Sequence, residues 1–226
     1  TGIAQDHRQA FDWYLKAADQ GFSLSQNSVG NCYFNGEGVA QDHKKAFDWY
    51  LKAADQGLAE SKYNIGFCYS KGVGVAQDHK KAFDWSLKAA EQGHANAQSQ
   101  LGFMYNNGLG VKQDDKEAVK WFRKAAEQGL DAGQLHLGNS YFYGNGVVKN
   151  HKEAVKWFRK SAEQGNPFGQ SNLGVMYRDG KGVEADPITA AEWYEKASHR
   201  GNAYSQAMLA WMYENGSGVK QDFVLA

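Results

Sequence analysis

Apolar residues recur at helical spacing in the segment that begins at Asp42 and ends at Gly57. The regularly spaced positions are Ala46, Trp49, Tyr50 and Ala53. This spacing places one apolar stripe along a helix, so we expect these four residues to be buried. Asp42 is a suitable N-cap and Gly57 a suitable stop, and they bound the predicted helix.

A second helical pattern covers residues 97–107 and ends at the glycine-containing loop 108–111. It carries Leu101 and Tyr105 one helical turn apart, with Gly102 between them. Glycine costs about 1 kcal/mol against alanine inside a helix. Because the glycine recurs in other copies of the motif, we expect a partner helix to approach closely at this position.

Both patterns repeat every 36 residues along the chain. The tryptophan recurs as Trp13, Trp49, Trp85, Trp121, Trp157 and Trp193, and the tyrosine as Tyr33, Tyr69, Tyr105, Tyr141, Tyr177 and Tyr213. A fixed period of this length is typical of a tandem repeat in which each unit contacts its neighbours. We therefore expect an all-α array of about twelve helices, six with tryptophan alternating with six Leu-Gly-x-x-Tyr helices, stacked as antiparallel pairs.

The period shows no interruption, so one array is expected over residues 1–226. The chain starts within a repeat, and Asp222-Phe223-Val224 begins a further helix of the tryptophan type. We expect the sequence to be a fragment of a longer protein. Residues 40–57 nearly match residues 4–21 and 76–93, which indicates recent duplication.

The motif resembles the Sel1-like repeat. The residues that carry the resemblance are Leu101, Gly102, Tyr105, Gly108, Gly110, Val111, Asp114, Ala118, Trp121, Lys124, Ala125, Ala126 and Gly129. The resemblance implies a right-handed α-solenoid related to tetratricopeptide arrays, and a role as adaptor or scaffold, with expansions known in bacteria. The chain departs from the pattern at Ala210, which replaces the glycine, and at Ser86, which replaces the aromatic residue after Trp85.

Positions that vary between repeats identify a candidate binding surface. Around the central glycine, the positions one before and three after are constant, whereas others on one helical face vary. If the Leu-Gly helices line a concave side, as the resemblance implies, the varying face forms a groove for a peptide or protein. The candidate groove residues are Tyr63, Phe67, Phe103, Asn107, Asn139, Phe142, Tyr143, Phe168, Arg178 and Trp211, with Asn27, Tyr204 and others beside them.

This face is rich in rings and amides and carries few charges. Rings can anchor an extended peptide or a partner's helix, and asparagine can bond to exposed backbone. The alternative is that many of these rings pack against the neighbouring helix and complete the core. Both interpretations remain open from the sequence.

A second apolar pattern lies on the tryptophan helices and consists of Phe11, Leu15, Phe47, Leu51, Phe83 and Leu87. The leucine position is Arg123, Arg159 or Glu195 in later repeats, so we expect this stripe to be exposed. An exposed apolar stripe favours self-association as a structural spacer. Scattered surface leucines are the alternative.

The charge is balanced, with 25 basic and 25 acidic residues. Neither a nucleic-acid-binding face nor a membrane-inserted segment is indicated.

Cys32 and Cys68 occupy equivalent positions one repeat apart, too far for a disulfide, and free thiols favour a cytoplasmic compartment.

No cofactor, metal or catalytic residue is predicted. His7, His43, His79 and His151 follow the N-caps at whole-repeat spacing, too far apart to share a metal, and we expect solvated helix starts. The Gly-x-Gly-Val loops lack a dinucleotide or P-loop pattern, so we expect caps and turns. Some cysteine-rich relatives of the family are associated with penicillin binding, which leaves a cell-wall or β-lactam-directed enzyme as a remote alternative to the adaptor.

Overall fold

The computed structural model describes residues 6–219. This part of the chain contains twelve α-helices and no strand. Their bounds are α1 His7–Asp19, α2 Ser23–Asn35, α3 His43–Asp55, α4 Ala59–Lys71, α5 His79–Glu91, α6 Ala95–Asn107, α7 Asp115–Glu127, α8 Asp131–Tyr143, α9 His151–Glu163, α10 Pro167–Asp179, α11 Pro187–Ser198 and α12 Ala203–Asn215. The further helix expected at residues 222–224 lies outside the described residues.

The helices form two compact units, which we call unit 1 (Thr1–Gln113) and unit 2 (Asp114–Ala226). Within each unit every helix packs against the next one along the chain. The odd-numbered helices carry the tryptophans and are called Trp helices, and the even-numbered ones are called Leu-Gly helices. The predicted alternation of twelve helices is confirmed, while one continuous array over residues 1–226 stays a prediction.

The helix starts follow from their capping residues. The Asp42 carboxylate accepts a hydrogen bond from the Lys45 amide, and Asn150 accepts one from the Glu153 amide. These bonds satisfy amide groups that have no partner within the helix. Pro187 occupies the first turn of α11, where its missing N–H costs nothing. The predicted cap at Asp42 is therefore confirmed.

The two glycines of each Gly-x-Gly loop have different roles. The first ends the Leu-Gly helix, and the second allows the loop to contact another helix. Gly36 has φ of 77°, and its amide donates to the Cys32 carbonyl, which closes the helix. At Gly38 an added Cβ would lie 2.0 Å from the carbonyl oxygen of His7, so the loop touches the first turn of α1. The loops are caps and turns, as the sequence predicts.

The core lies between the two kinds of helix. The residue before the central glycine is fully buried in five repeats, as Val29, Ile65, Leu101, Leu137 and Leu173. A Cβ on Gly138 would lie 2.6 Å from a ring carbon of Phe158, and one on Gly174 would lie 2.8 Å from Tyr194. The glycines therefore allow the close helix approach that their recurrence predicts.

The tryptophans differ in burial. Trp121 and Trp157 are buried, Trp49, Trp85 and Trp193 are half-buried, and Trp13 is 68% exposed. Trp49 packs on the apolar cluster of the preceding repeat, whereas the described chain places no such cluster against Trp13. Of the four residues expected to be buried, Ala46, Tyr50 and Ala53 are buried and Trp49 is only half-buried. A lysine three residues later covers each ring, at 3.8 to 4.5 Å from the centroid.

The prediction of an exposed Phe/Leu stripe on the Trp helices is wrong. Phe11, Phe47 and Phe83 are buried, and Leu15, Leu51 and Leu87 are half-buried. Each phenylalanine packs edge-on against the recurring tyrosine of its own repeat. The partners are Tyr33, Tyr69 and Tyr105, at centroid distances of 5.4, 5.3 and 5.2 Å. Of the charged residues that suggested exposure, Arg123 is half-buried and donates to the Tyr141 hydroxyl at 2.7 Å, whereas Glu195 is exposed.

Three of the four histidines at the helix starts, His43, His79 and His151, are less solvated than expected, whereas His7 is exposed as predicted. His43 packs on Phe34 at 5.0 Å and His151 stacks on Phe142 at 5.3 Å. Aromatic neighbours at the end of the preceding Leu-Gly helix cover these rings. Cys32 and Cys68 are buried and free, and burial raises the pKa of the Cys68 thiol to about 11.

Candidate functional site

A pocket of about 650 Å³ opens on the Leu-Gly helices of unit 2. This volume is within the range of small-molecule and peptide pockets, about 300–1,000 Å³. Its lining residues are Asn139, Phe142 and Tyr143 of α8, Phe158 of α9, Phe168, Ser171, Asn172, Val175 and Met176 of α10, and Gly201, Asn202, Ala203 and Tyr204 at α12. None of them is an aspartate, glutamate, lysine or arginine, so the pocket is uncharged.

The pocket floor belongs to the core of unit 2. Phe158 is 1% exposed and Met176 is fully buried. Phe158 lies directly on Gly138 of α8, which brings α9 close beneath the pocket. Because both residues are fixed by packing, the floor is a preformed apolar surface.

The rim consists of aromatic rings that reach into solvent. Tyr143 is 66% exposed, Phe168 61% and Tyr204 48%. Phe142 is half-buried and packs edge-on against Tyr143 at 4.9 Å. Exposed rings around a concave uncharged surface can contact apolar and aromatic ligand groups.

One wall carries a pair of side-chain amides. The Asn172 Nδ2 donates to the Asn139 Oδ1 at 3.1 Å, which joins α10 to α8. Among the described residues, this bond leaves the Asn139 Nδ2 and the Asn172 Oδ1 free of further partners. The pair therefore offers one N–H donor and one oxygen acceptor, which match the carbonyl and the N–H of a peptide group.

A charged network holds the rim at Tyr204. Arg178 donates through Nη1 to the Tyr204 hydroxyl at 3.2 Å and through Nε to Asp179 at 2.7 Å. Lys181 also donates to Asp179, at 2.8 Å. The Asp179 hydrogen bond raises the pKa of Arg178, and the same contact lowers the pKa of Asp179. Arg178 is thus occupied in fixing the position of Tyr204.

In unit 1 the corresponding face is filled by the chain's own rings. Tyr63 stacks on His94 with centroids 5.0 Å apart, and Phe34 packs on Phe67 at 6.1 Å. Burial raises the pKa of the Tyr63 phenol, and Glu60 adds to this effect. Phe103 is 45% exposed, while the Asn107 side chain donates to the Phe103 carbonyl and so caps its own helix.

The structure brings some of the predicted groove residues together and separates others. Asn139, Phe142, Tyr143 and Phe168 line one pocket, with Arg178 beside it. Trp211 is 46% exposed on α12 but does not line the pocket, and Tyr63, Phe67, Phe103 and Asn107 belong to unit 1. All ten candidate positions keep some solvent exposure, so whether they bind a ligand stays a prediction.

The prediction that Asn27 belongs to the groove surface is wrong. Asn27 is buried, and its Oδ1 accepts hydrogen bonds from Ser61 at 2.8 Å and Asn64 at 3.0 Å. These bonds join α2 to α4, so Asn27 holds neighbouring repeats together.

Sequence reasoning missed Ser171, Asn172 and Asn202 as pocket residues. Ser171 occupies a varying position, but a small side chain gave no reason to select it. Asn172 lies at a position that was not assigned to the varying face, and Asn202 caps α12 by accepting from the Ser205 amide at 2.9 Å. The sequence does show that the position of Tyr63 in the repeat is occupied by the smaller Ser171 three repeats later, and this difference could have indicated a pocket.

Metal sites and membrane-spanning helices are absent from residues 6–219. No group of three or more histidine, cysteine, aspartate and glutamate side chains in this range is arranged to hold a metal ion. The helices of the same range include none with the length and apolar character needed to cross a membrane.

The chain was compared with known proteins. The Sel1 repeat model matches seven consecutive segments: residues 1–22, 23–58, 59–94, 95–130, 131–166, 167–202 and 203–226. No curated protein matched the chain.

Two solved structures from bacteria are similar over nearly the whole chain. A protective antigen of uropathogenic Escherichia coli that displays an SLR fold is 42% identical, with a TM-score of 0.88, over 95% of this chain and 46% of that one. A Sel1 repeat protein from Oxalobacter formigenes is 32% identical, with a TM-score of 0.85, over 97% and 93% of the two chains. The chain thus spans less than half of the Escherichia coli protein.

A third structure, of a Sel1 repeat protein from Klebsiella pneumoniae, shares the fold at 20% identity and a TM-score of 0.60. The expected all-α class built from repeated helix pairs is confirmed. The matched segments cover the entire sequence, and the chain belongs to the Sel1 repeat family.

Proposed function

We propose that this chain is a non-catalytic adaptor that binds an extended peptide or a partner protein on the varying face of its Leu-Gly helices. Sel1 repeat proteins generally act as scaffolds for protein interaction, and the proposal assigns that role to a specific face. One observation carries it. Among residues 6–219, three exposed aromatic residues belong to the first repeat, namely Trp13, Tyr14 and Phe22, and all the others lie on Leu-Gly helices: Phe103, Tyr143, Phe168, Tyr204 and Trp211.

Exposed rings are costly unless they have a role. Monomeric proteins rarely leave large apolar side chains clustered in water, and clustered ones commonly mark interaction surfaces. Here the exposed rings occupy positions that differ between repeats, while the constant positions are buried before the glycine in five repeats and half-buried at the tyrosine. Packing therefore fixes one set of residues and leaves the other free to serve recognition.

The composition of the face favours a polypeptide ligand. Aromatic rings provide anchors, and the free amide groups of Asn139 and Asn172 match a peptide bond. The pocket in unit 2 lacks charged lining residues, which disfavours a strongly ionic ligand because a buried ion needs a partner.

The test uses the triple variant Phe67→Ala, Phe103→Ala and Tyr143→Ala. The variant should lose most binding to immobilised random peptides while it keeps its helical circular dichroism. Ile188→Ala is the matched control, because Ile188 is 62% exposed on a Trp helix and its loss should leave binding unchanged. Equal binding by the triple variant and the wild type would contradict the proposal.

Self-association through the Phe/Leu stripe is not proposed, because its phenylalanines are buried in the core.

A further inference from the structure

The two units, aligned in register, differ at several positions, and three of these differences lie at the pocket of unit 2. Residues three repeats apart, 108 positions along the chain, are equivalent. On this register Tyr63 corresponds to Ser171, His94 to Asn202, and Phe67 to Val175. Three large side chains of unit 1 are thus replaced by smaller ones in unit 2.

In unit 1 these large side chains fill the space between consecutive Leu-Gly helices. The Tyr63 ring, on α4, stacks on His94 at the start of α6, with centroids 5.0 Å apart. Phe67, one turn further along α4, packs on Phe34 of α2. The chain's own aromatic rings therefore occupy this position.

In unit 2 the equivalent residues line the open pocket. Ser171 and Asn202 are both lining residues, and Val175 lies one turn along α10 from Ser171. Ser171 is 5% exposed and Asn202 is 9% exposed, so they form its deep part. The exposed rings of Phe168 and Tyr204 stand at the rim on either side. The pocket is a place where one repeat omits a ring that another repeat supplies.

We infer that this pocket binds the aromatic side chain of a tyrosine or phenylalanine in a partner polypeptide, in the position that Tyr63 fills in unit 1. The inference rests on the proposed function and specifies the recognised residue. The ring lies over Ser171 and contacts Phe168 and Tyr204. The free Asn139 Nδ2 and Asn172 Oδ1 bond to the adjoining peptide group.

The charges around the pocket agree with this ligand. A carboxylate or ammonium side chain would find no ionic partner among the lining residues, and burying it would be unfavourable. Arg178 already donates to Asp179 and Tyr204, and so serves the rim rather than the ligand. An uncharged ring is the side chain that fits both the volume and the polarity.

The probe is the blocked tripeptide acetyl-Ala-Tyr-Ala-amide, titrated into the whole chain and followed by protein NMR shifts. We expect one site per chain, with shifts at Phe168 and Tyr204. Replacing the central tyrosine by phenylalanine should keep binding, whereas alanine or glutamate should weaken it about tenfold or more, which corresponds to about 1.4 kcal/mol. Equal binding of the alanine peptide would overturn the inference.

Two substitutions exchange the tyrosine of unit 1 and the serine of unit 2 at the equivalent positions 63 and 171. Ser171→Tyr supplies the ring from within the chain and should abolish tripeptide binding, while the control Ser171→Ala should preserve it. Tyr63→Ser opens the equivalent space in unit 1 and should give a second site per chain. Unchanged binding by Ser171→Tyr, or one site only in Tyr63→Ser, would contradict the inference.

Thermal melting confirms that each variant folds before it is titrated. If Ser171→Tyr does not fold, Val175→Phe takes its place, since phenylalanine is the residue at the equivalent position in unit 1. Failure of the pocket is distinguishable from failure of the adaptor function. If the alanine tripeptide binds as well as the tyrosine tripeptide while the Phe67, Phe103 and Tyr143 triple variant still loses peptide capture, only the aromatic pocket is disproved.

Discussion

The ring of Tyr50 lies directly on Gly30. A Cβ added to Gly30 would stand 2.5 Å from the Tyr50 Cε1, a distance that Cβ atoms in proteins essentially never show to a neighbouring side chain. Tyr50 is 3% exposed, and its hydroxyl donates to the Asn31 Oδ1 at 2.8 Å. The glycine thus creates the space in which α3 packs against α2, and the hydrogen bond keeps the ring there.

Gly30→Ala should therefore destabilise the protein even though alanine favours helix formation. Overpacking of this kind typically costs about 1–3 kcal/mol beyond the gain in helix propensity. Gly66→Ala is the matched control, because the atom nearest to its Cβ is the rotatable Ser86 hydroxyl rather than a ring. Urea denaturation should give the larger loss for Gly30→Ala, and the reverse order would contradict this account.

Trp121→Ala should lower the melting temperature more than Trp13→Ala. Each ring is covered by its own lysine, Lys124 at 3.9 Å from the Trp121 centroid and Lys16 at 4.2 Å from that of Trp13. Trp121 is 9% exposed, however, and Trp13 is 68% exposed. Loss of a buried tryptophan costs about 3–5 kcal/mol, whereas an exposed one costs much less. Calorimetry of both variants measures the difference. Equal shifts would mean that the lysine contact, rather than burial, provides the stability.

Ser86→Ala should stabilise the protein. Ser86 is fully buried, and its hydroxyl has no hydrogen-bond partner among the described residues. Removing an unsatisfied buried hydroxyl should gain about 1 kcal/mol. Ser61→Ala provides the contrast, because the equally buried Ser61 hydroxyl donates to Asn27. Its loss should cost about 0.5–1.5 kcal/mol, since one hydrogen bond is removed while the Asn27 Oδ1 keeps its bond from Asn64. Both values come from urea denaturation curves.

The stability should fall in mild acid because of His136. This ring stacks on Phe122 at 4.8 Å, and burial lowers its pKa in the folded protein. The unfolded chain, with a histidine pKa of about 6.5, then binds the proton more tightly. The contribution of neutral His136 is complete above that value and declines as the pH drops towards the lower folded pKa.

His136→Gln should reduce this loss between pH 7.5 and pH 5, as measured by urea denaturation at both values. His199→Gln, at an exposed position, is the control and should retain the pH dependence of the wild type. The same dependence in all three proteins would show that His136 does not couple stability to pH. His94 adds to the effect, because burial lowers its pKa, although Glu60 opposes the shift.

The helices could be predicted because their signals are local. Asp42 and Asn150 cap the following helix within three residues, and Gly36 ends one through its own φ angle. The recurrence of glycine opposite the ring of the next helix also predicted close packing correctly. These features depend on residues near in sequence or repeated at a fixed period.

The candidate site was only partly predictable. The varying face includes Phe142, Tyr143 and Phe168 of the pocket, but Ser171 and Asn202 matter through the space they leave. Phe11 was expected at the surface because its position on a helix does not reveal that Tyr33 covers it. Asn27 looked free because its partners, Ser61 and Asn64, belong to another repeat.

The sequence by itself determined the helices, their ends, the 36-residue period and the family, since these follow from short-range hydrogen bonding and from repetition. Only the tertiary structure decided which rings are covered and where a pocket opens. Burial depends on the side chain that a neighbouring helix brings to the same point, and Tyr63 and Ser171 occupy the same position of the repeat with opposite results.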